Sequence, residues 1–248
     1  MTYCLGMLLD RGIAMMSDTR TNAGVDNIST FRKMTIWEVP GERSITLMSA
    51  GNLATTQAVV SLLDERTKAP DDRDPTLLAV PSMFQAARLI ADTLRDVISE
   101  HEQSGQTAAS GFSATLLIAG QIKGGPPRLF LIYPEGNFIE AGTDTPFFQI
   151  GETKYGRPIL VRAYDPKFEF SDAMRLLLVS FDSTVKANLS VGAPFDYHFY
   201  EADSLRTGLT GRIEAEDPRF LSISQGWGEA LKNALESLPN FEFETEAD

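Results

Sequence analysis

The hydrophobic period changes along this chain in an order that few folds can accommodate. Spacings typical of β-strands come first, at 2–9, 13–19, 31–39 and 44–50. Helical spacing then occurs twice in succession, at 53–66 and from Ser82 onward. Strand-like segments return at 113–119, at 128–133 and within 136–150. They are followed by two helical segments, at 152–163 and 171–189.

The helices therefore come in pairs and do not alternate one by one with strands. This order opposes a doubly wound parallel sheet and predicts antiparallel sheets covered by helix pairs, an α+β fold. The remaining chain predicts strands at 195–201 and 219–224, a last helix near 227–238 and a frayed acidic tail. Because no linker or repeat interrupts the pattern, we expect a single domain over residues 1–248.

Local signals place the helix starts and the faces turned toward the core. Asn52 is the expected N-cap of the first helix, and Ser82 with Gln85 forms a capping-box pattern at the second. Ser171 or Asp172 is expected to cap the helix at 171–189. The expected buried faces consist of Ala54, Ala58, Leu62 and Leu63 in the first helix, and Phe84, Ala87, Ala91, Leu94 and Ile98 in the second.

Composition excludes several classes of function. A net charge of −12 opposes binding to nucleic acid, which requires clustered Lys and Arg. The single cysteine, Cys4, rules out an intrachain disulfide and a CxxC zinc site. No apolar run reaches the ~18–20 residues of a membrane span, and Asp10 and Arg11 interrupt any signal-like segment. We expect a cytoplasmic protein without a membrane partner, cofactor or metal.

Common catalytic motifs are also missing from the sequence. With only His101 and His198, there is little room for a histidine metal site or a Ser-His-Asp triad. His101 lies at a charged helix end and is expected in solvent, whereas His198, in an aromatic strand-like run, is expected to be structural. No Walker A loop, strand-linked GxGxxG or GxSxG elbow is present.

A threonine near the chain start offers another kind of chemistry. If Met1 is removed, Thr2 has a free α-amine whose ordinary pKa, about 7.7–8.0, suits it to act as a base toward its own hydroxyl. This signal alone is weak, because many cytosolic chains begin Met-Thr.

Asp18 and Lys33 strengthen the interpretation, because each interrupts an apolar strand-like segment. Charges inside buried strands are costly unless they are paired, so an Asp18–Lys33 ion pair beneath Thr2 would satisfy both. A cation there would also lower the pKa of the terminal amine. The alternative is that both charges lie on the solvent face of half-exposed strands.

The segment 49–52 joins a strand to a helix start, where outward backbone N–H groups can hold an oxyanion. Gly51 would let a substrate carbonyl approach closely. Taken alone, this pattern indicates only a turn.

Together, Thr2, the segment 17–20, Lys33 and Ala50-Gly51 resemble the proteasome β-subunit family, and most closely its bacterial Anbu (ancestral β-subunit) group. The resemblance covers about residues 2–190. It implies a four-layer αββα sandwich, the fold of N-terminal nucleophile (Ntn) hydrolases, and self-association into a ring or ring-like homo-oligomer. It also implies a peptide or amide substrate, with Thr2 as nucleophile and base, Asp18 and Lys33 as its charge partners, and the Gly51 amide as oxyanion donor.

Two positions depart from the family pattern. Glu152 stands where a supporting serine is expected, and Ala187 replaces an aspartate, although Ser190 retains the serine that follows it. The chain from about residue 193 has little counterpart in the core family. A ring-forming scaffold with little peptidase activity and an amidase for a small or isopeptide-like substrate are therefore alternatives. The sequence does not identify an ATPase partner.

Overall fold

A computed structural model describes residues 2–22, 28–68, 75–103 and 109–241 of the chain. Some of the predictions above lie outside the described residues. They concern Met1, residues 23–27, most of the loop at 69–75, the side chain of His101 and the tail from residue 242 onward.

Twelve strands and five α-helices are present within the described ranges. The strands are β1 Tyr3–Leu9, β2 Gly12–Asp18, β3 Arg20–Asn22, β4 Ile28–Thr30, β5 Met34–Val39, β6 Arg43–Gly51, β7 Ala114–Ile122, β8 Arg128–Ile132, β9 Phe138–Glu140, β10 Phe147–Gly151, β11 Phe195–Glu201 and β12 Leu209–Ile213. The helices are α1 Leu53–Lys68, α2 Met83–Gln103, α3 Arg157–Ala163, α4 Phe170–Ala187 and α5 Pro218–Glu236. A short 3-10 helix spans Ala109–Phe112.

Two five-stranded antiparallel sheets form the centre of the fold. The first has the order β10-β1-β2-β11-β12 and the second β5-β6-β7-β8-β9, while β3 and β4 form a separate hairpin. Helices α1 and α2 contact each other and the second sheet, whereas α3, α4 and α5 pack in succession and α4 contacts β1 and β2. The predicted αββα architecture is confirmed.

The alternation of side chains along each strand separates the core into three apolar layers. In β1, Tyr3, Leu5 and Met7 face the helices, while Cys4 faces the other sheet. The same alternation occurs in β6 and β7, whose residues divide between the layer under α1 and α2 and the layer between the sheets. Strands buried on both faces explain why the first segment reads as an almost continuous apolar run.

Most predicted elements are confirmed, but four boundaries or assignments are wrong. The segment 219–224 belongs to α5, because Asp217 caps that helix and Pro218 occupies its first turn. The predicted third strand within 136–150 is two strands in different sheets, β9 and β10. The strand predicted from residue 31 begins at Met34, and the helix predicted from 152 begins at Arg157. Strands β3, β4 and β12 were not predicted.

The helix caps and faces agree only in part. Asn52 caps α1 by accepting the Thr55 N–H at 3.1 Å, and the Ser82 hydroxyl accepts the Gln85 N–H at 3.3 Å. The N-cap of α4 is Glu169, not Ser171 or Asp172. In α1 the buried residues are Thr55, Thr56, Val59 and Leu63. Ala54 and Leu62 are exposed because the packed stripe of α1 is rotated toward the threonines and Val59, and in α2 Phe84 is exposed whereas its neighbour Met83 is buried.

His198 of β11 is fully buried, and both of its ring nitrogens lie within hydrogen-bonding distance of other residues. Its Nε2 accepts the Gly208 N–H at 3.2 Å, so the proton resides on Nδ1, which is 2.8 Å from the Thr46 hydroxyl oxygen of the second sheet. Burial lowers the pKa of His198 from 6.5 to about 4, and the Glu38 carboxylate opposes this shift. Protonation of Nε2 would remove the acceptor for Gly208.

We predict that acidification from pH 6.5 toward pH 4 lowers the free energy of unfolding through His198. In this interval the unfolded chain binds a proton that the folded chain does not, so stability falls as pH falls, by at most about 3 kcal/mol. Urea unfolding at about pH 7 and about pH 4.5 measures the effect. His198→Gln should reduce this pH dependence, and an unchanged dependence in the variant would contradict the prediction.

Candidate active site

Thr2 lies at the start of β1, where the ends of β2 and β10 flank it. The Thr2 carbonyl accepts the Glu152 N–H at 2.7 Å, and the next backbone N–H, of Tyr3, donates to Asp18 Oδ1 at 2.9 Å. Thr2 itself is only 9% exposed. Hydrogen bonds at the ends of β2 and β10 therefore fix the backbone around Thr2 and so the position of its side chain.

Asp18 and Lys33 form a buried ion pair between the two sheets. Lys33 Nζ is 2.5 Å from Asp18 Oδ1 and also donates to the carbonyl of Arg20 at 2.7 Å. The other carboxylate oxygen of Asp18 accepts the Gly192 N–H at 3.5 Å. Lys33 lies in the coil before β5, not inside a strand as predicted, but it is 7% exposed and Asp18 is fully buried.

Burial and pairing act in opposite directions on the Asp18 carboxyl. Burial raises the pKa of Asp18, and the Lys33 ammonium and the N–H groups of Tyr3 and Gly192 oppose that rise. A buried carboxylate without such partners would become protonated. Asp18 thus depends on Lys33 to stay ionised. The ionised carboxylate accepts the Tyr3 N–H and so fixes the backbone beside Thr2.

A cleft of about 220 Å³ opens beside Thr2. Its lining includes Thr21, Ser49 and Thr56, together with Gly51 and Gly151. At both glycines φ is positive, +119° and +81°, a region that side chains disfavour. A Cβ at Gly51 would lie 2.4 Å from the Ser113 carbonyl oxygen, and one at Gly151 would lie 2.0 Å from the Thr2 carbonyl oxygen.

The register of β6 indicates where the Gly51 N–H points. Successive N–H groups of a strand point to opposite sides. The Ser49 N–H donates to Lys33 on the β5 side, and the Asn52 N–H donates to Ser113 on the β7 side. The Gly51 N–H therefore faces the β5 side, beyond the end of the β5–β6 pairing, where the cleft begins.

Glu152 and Ser190, the two supporting candidates, are linked through Asn188. The Glu152 carboxylate accepts the Lys154 N–H and the Asn188 amide, each at 2.9 Å, and the Asn188 side-chain oxygen accepts the Ser190 N–H at 3.0 Å. Asn188, the C-cap of α4, thus connects Glu152 to Ser190, whereas its neighbour Ala187 is exposed. No local sequence signal marks this link, because Asn188 and Glu152 are 36 positions apart.

A second support was missed because its members are far apart in sequence. The Tyr3 hydroxyl lies 2.7 Å from both the Ser180 hydroxyl oxygen and the Gln149 side-chain nitrogen. Burial raises the pKa of Tyr3, so the phenol stays neutral. Gly156 borders this group, where a Cβ would meet the Tyr3 and Ser180 oxygens. The residue after Thr2 is therefore fixed at both its backbone and its ring.

Among the described residues, no group of three or more His, Cys, Asp or Glu side chains could hold a metal ion. None of the described helices is long and apolar enough to cross a membrane.

The fold and the position of Thr2 at one end of β1 define the class. Two antiparallel sheets between helix layers, with a threonine at the end of a central strand, form the sandwich of an Ntn hydrolase. The sequence model of the family described as "Proteasome subunit" matches residues 2–193. The chain therefore belongs to the proteasome subunit family.

Solved structures place the chain within that family. It is 48% identical to Anbu (ancestral beta-subunit) from Yersinia bercovieri, with a TM-score of 0.90 and coverage of 98% of this chain and 100% of the other. It is 46% identical to an Anbu (Gly-1) mutant from Hyphomicrobium sp. strain MC1, with a TM-score of 0.91 and coverage of 98% of this chain and 100% of the other. It is 45% identical to the chain in a helical assembly of the Anbu complex from Pseudomonas aeruginosa, with a TM-score of 0.90 and coverage of 97% of this chain and 98% of the other. The chain is a member of the Anbu group. Comparison with curated proteins gives no match.

We predict that Gly51→Ala destabilises the fold more than Gly41→Ala does. Both glycines have positive φ, but an added methyl group would meet open space at Gly41 and the Ser113 carbonyl at Gly51. Backbone strain alone costs about 1 kcal/mol, and the clash at Gly51 adds to it. Equal losses of unfolding free energy in urea titrations would show that the strand end can move aside.

Proposed function

We propose that this chain is an N-terminal threonine hydrolase, a peptidase or amidohydrolase that acts through an acyl-enzyme within a homo-oligomer. The observation that carries the proposal is the position of Thr2 between a cleft and the buried Asp18–Lys33 pair. A scaffold without chemistry has no need of a buried charge pair at that position, since such pairs add little to stability.

In the proposed reaction, removal of Met1 frees the Thr2 amine. The amine takes the proton of the Thr2 hydroxyl as its oxygen attacks the substrate carbonyl carbon. The resulting oxyanion accepts a hydrogen bond from the Gly51 N–H. Collapse breaks the C–N bond, and the departing amine takes the proton from the Thr2 ammonium. Water then attacks the ester by the same route and regenerates Thr2.

Lys33 and Asp18 act on this step without touching the substrate. The Lys33 charge favours a neutral Thr2 amine and stabilises the developing negative charge on the Thr2 oxygen. Asp18 keeps Lys33 in place and aligns the Tyr3 backbone. Glu152 positions Thr2 through its backbone N–H, and its side chain joins this loop to Asn188 and thereby to Ser190.

Self-association is supported by the exposed apolar side chains on α5. Leu231 and Leu235 are 50% and 72% exposed, and Leu238 just beyond the helix is 62% exposed. Single copies in water rarely expose such a run. The C-terminal part from about residue 193, which supplies this helix, is proposed as an assembly element of the one domain. The Pseudomonas aeruginosa relative is described as a helical assembly.

The alternative of a small-substrate amidase also has a specific support. The cleft directly beside Thr2 measures only about 220 Å³, which suits a short acyl group better than a long peptide. Both candidate functions share the same nucleophile and the same acyl-enzyme.

We predict that a peptide epoxyketone labels Thr2 once in protein whose N-terminus is shown by mass spectrometry to be Thr2. The reagent reacts with both the hydroxyl and the free amine of a terminal threonine. Labelling should slow below about pH 7, because protonation removes the base. Peptide mapping by mass spectrometry locates the adduct.

Thr2→Ala is the control and should give no adduct, while Arg88→Gln, at an exposed position outside the cleft, should still give one. Absence of any adduct in protein that starts at Thr2 would contradict the proposed function and favour the scaffold.

A further inference from the structure

Arg32, a cation beside the proposed nucleophile, has no role in the reaction proposed above. Arg32 is exposed and lines the cleft next to Thr2. It also lines an adjoining cavity of about 680 Å³ between β5 and α1. The two cavities share Phe31, Arg32, Lys33, Ser49 and Thr56 in their linings, so they adjoin, and the two together are termed the groove.

The charge of this groove is opposite to that of the chain as a whole. The net charge is −12, with 34 Asp and Glu residues. Among the described residues that line either cavity there is no carboxylate, whereas Arg32 and Lys33 are both present. Lys33 is already paired with Asp18, so Arg32 supplies the uncompensated charge.

Arg32 is held in place but has no partner of its own. The backbone on either side is anchored, because the Phe31 N–H donates to Thr19 at 2.7 Å and the Lys33 carbonyl accepts the Ser49 N–H at 3.0 Å. None of the described residues forms an ion pair, hydrogen bond or ring contact with the Arg32 guanidinium. A guanidinium fixed at its base presents a two-pronged donor that matches a carboxylate.

A further polar group at the wall of the groove lacks a partner. The Thr21 hydroxyl is buried without a hydrogen-bond partner among the described residues, and Thr21 lines the cleft. Buried hydroxyls are usually satisfied. A hydroxyl and a guanidinium that both lack partners indicate a polar, anionic occupant more than an apolar one.

We infer that Arg32 makes the groove selective for acyl donors that carry a carboxylate side chain, such as a glutamyl or aspartyl peptide. The inference rests on the proposed function, because the acyl group must reach Thr2. Arg32 acts as a specificity-determining residue: it binds the carboxylate while Phe31, 36% exposed, contacts the intervening methylene groups.

The test compares two peptide epoxyketones that differ only in Glu or Gln next to the reactive group. The rate of Thr2 adduct formation, followed by mass spectrometry, should be about twofold to fivefold faster with Glu, the range for an exposed ion pair. The ratio should fall as salt is raised, because screening weakens an exposed pair.

Variants of Arg32 separate this role from a general field effect. Arg32→Gln should bring the Glu/Gln ratio near one, and Arg32→Glu should favour a Lys-containing reagent. Arg88→Gln, which removes the same charge from an exposed site outside the groove, should leave the ratio unchanged.

The outcomes distinguish the two proposals. Equal labelling by the Glu and Gln reagents, or a Glu preference that survives Arg32→Gln, would overturn the selectivity inference and leave the threonine hydrolase standing. No labelling by either reagent would instead remove the proposed function.

Discussion

The ion pair between Asp18 and Lys33 is the interaction on which the site depends. Asp18 ends β2 in one sheet and Lys33 precedes β5 in the other, so the pair joins the two sheets at the point where Thr2 begins β1. Loss of one partner would leave a buried charge uncompensated, at a cost of about 3–5 kcal/mol. Apolar residues of similar volume often stabilise a fold as well as a buried ion pair does or better, and this supports the proposed role of the pair in catalysis.

Much of the architecture could be predicted because it is encoded locally. A two-residue period marks strands and a 3.6-residue period marks helices, and helices in pairs oppose a parallel sheet. The failures have two causes, of which the first is that short apolar runs satisfy both periods. The segment 219–224 is helical because Asp217 and Pro218 start α5 just before it, and 136–150 splits because strand pairing, which is not local, assigns β9 and β10 to different sheets.

The candidate site was predictable to a similar extent. Thr2, Asp18 and Lys33 stand out because a buried charge requires a partner, and Gly51 stands out at a strand-to-helix junction. The link from Glu152 through Asn188 and the group around the Tyr3 hydroxyl could not be predicted, since they join residues more than thirty positions apart. The groove charge set by Arg32 likewise emerges only when the segment before β5 and the helix α1 come together.

The most direct test of this account is a double-mutant cycle across the ion pair, with Asp18→Asn, Lys33→Met and the double variant. Urea unfolding and the rate of Thr2 acylation are measured on all four proteins. The account predicts that the double variant is more stable than either single variant, because no unpaired buried charge remains, yet acylates Thr2 no faster than they do. A double variant that acylates Thr2 at the parental rate would contradict the account, because the pair would then serve the fold alone.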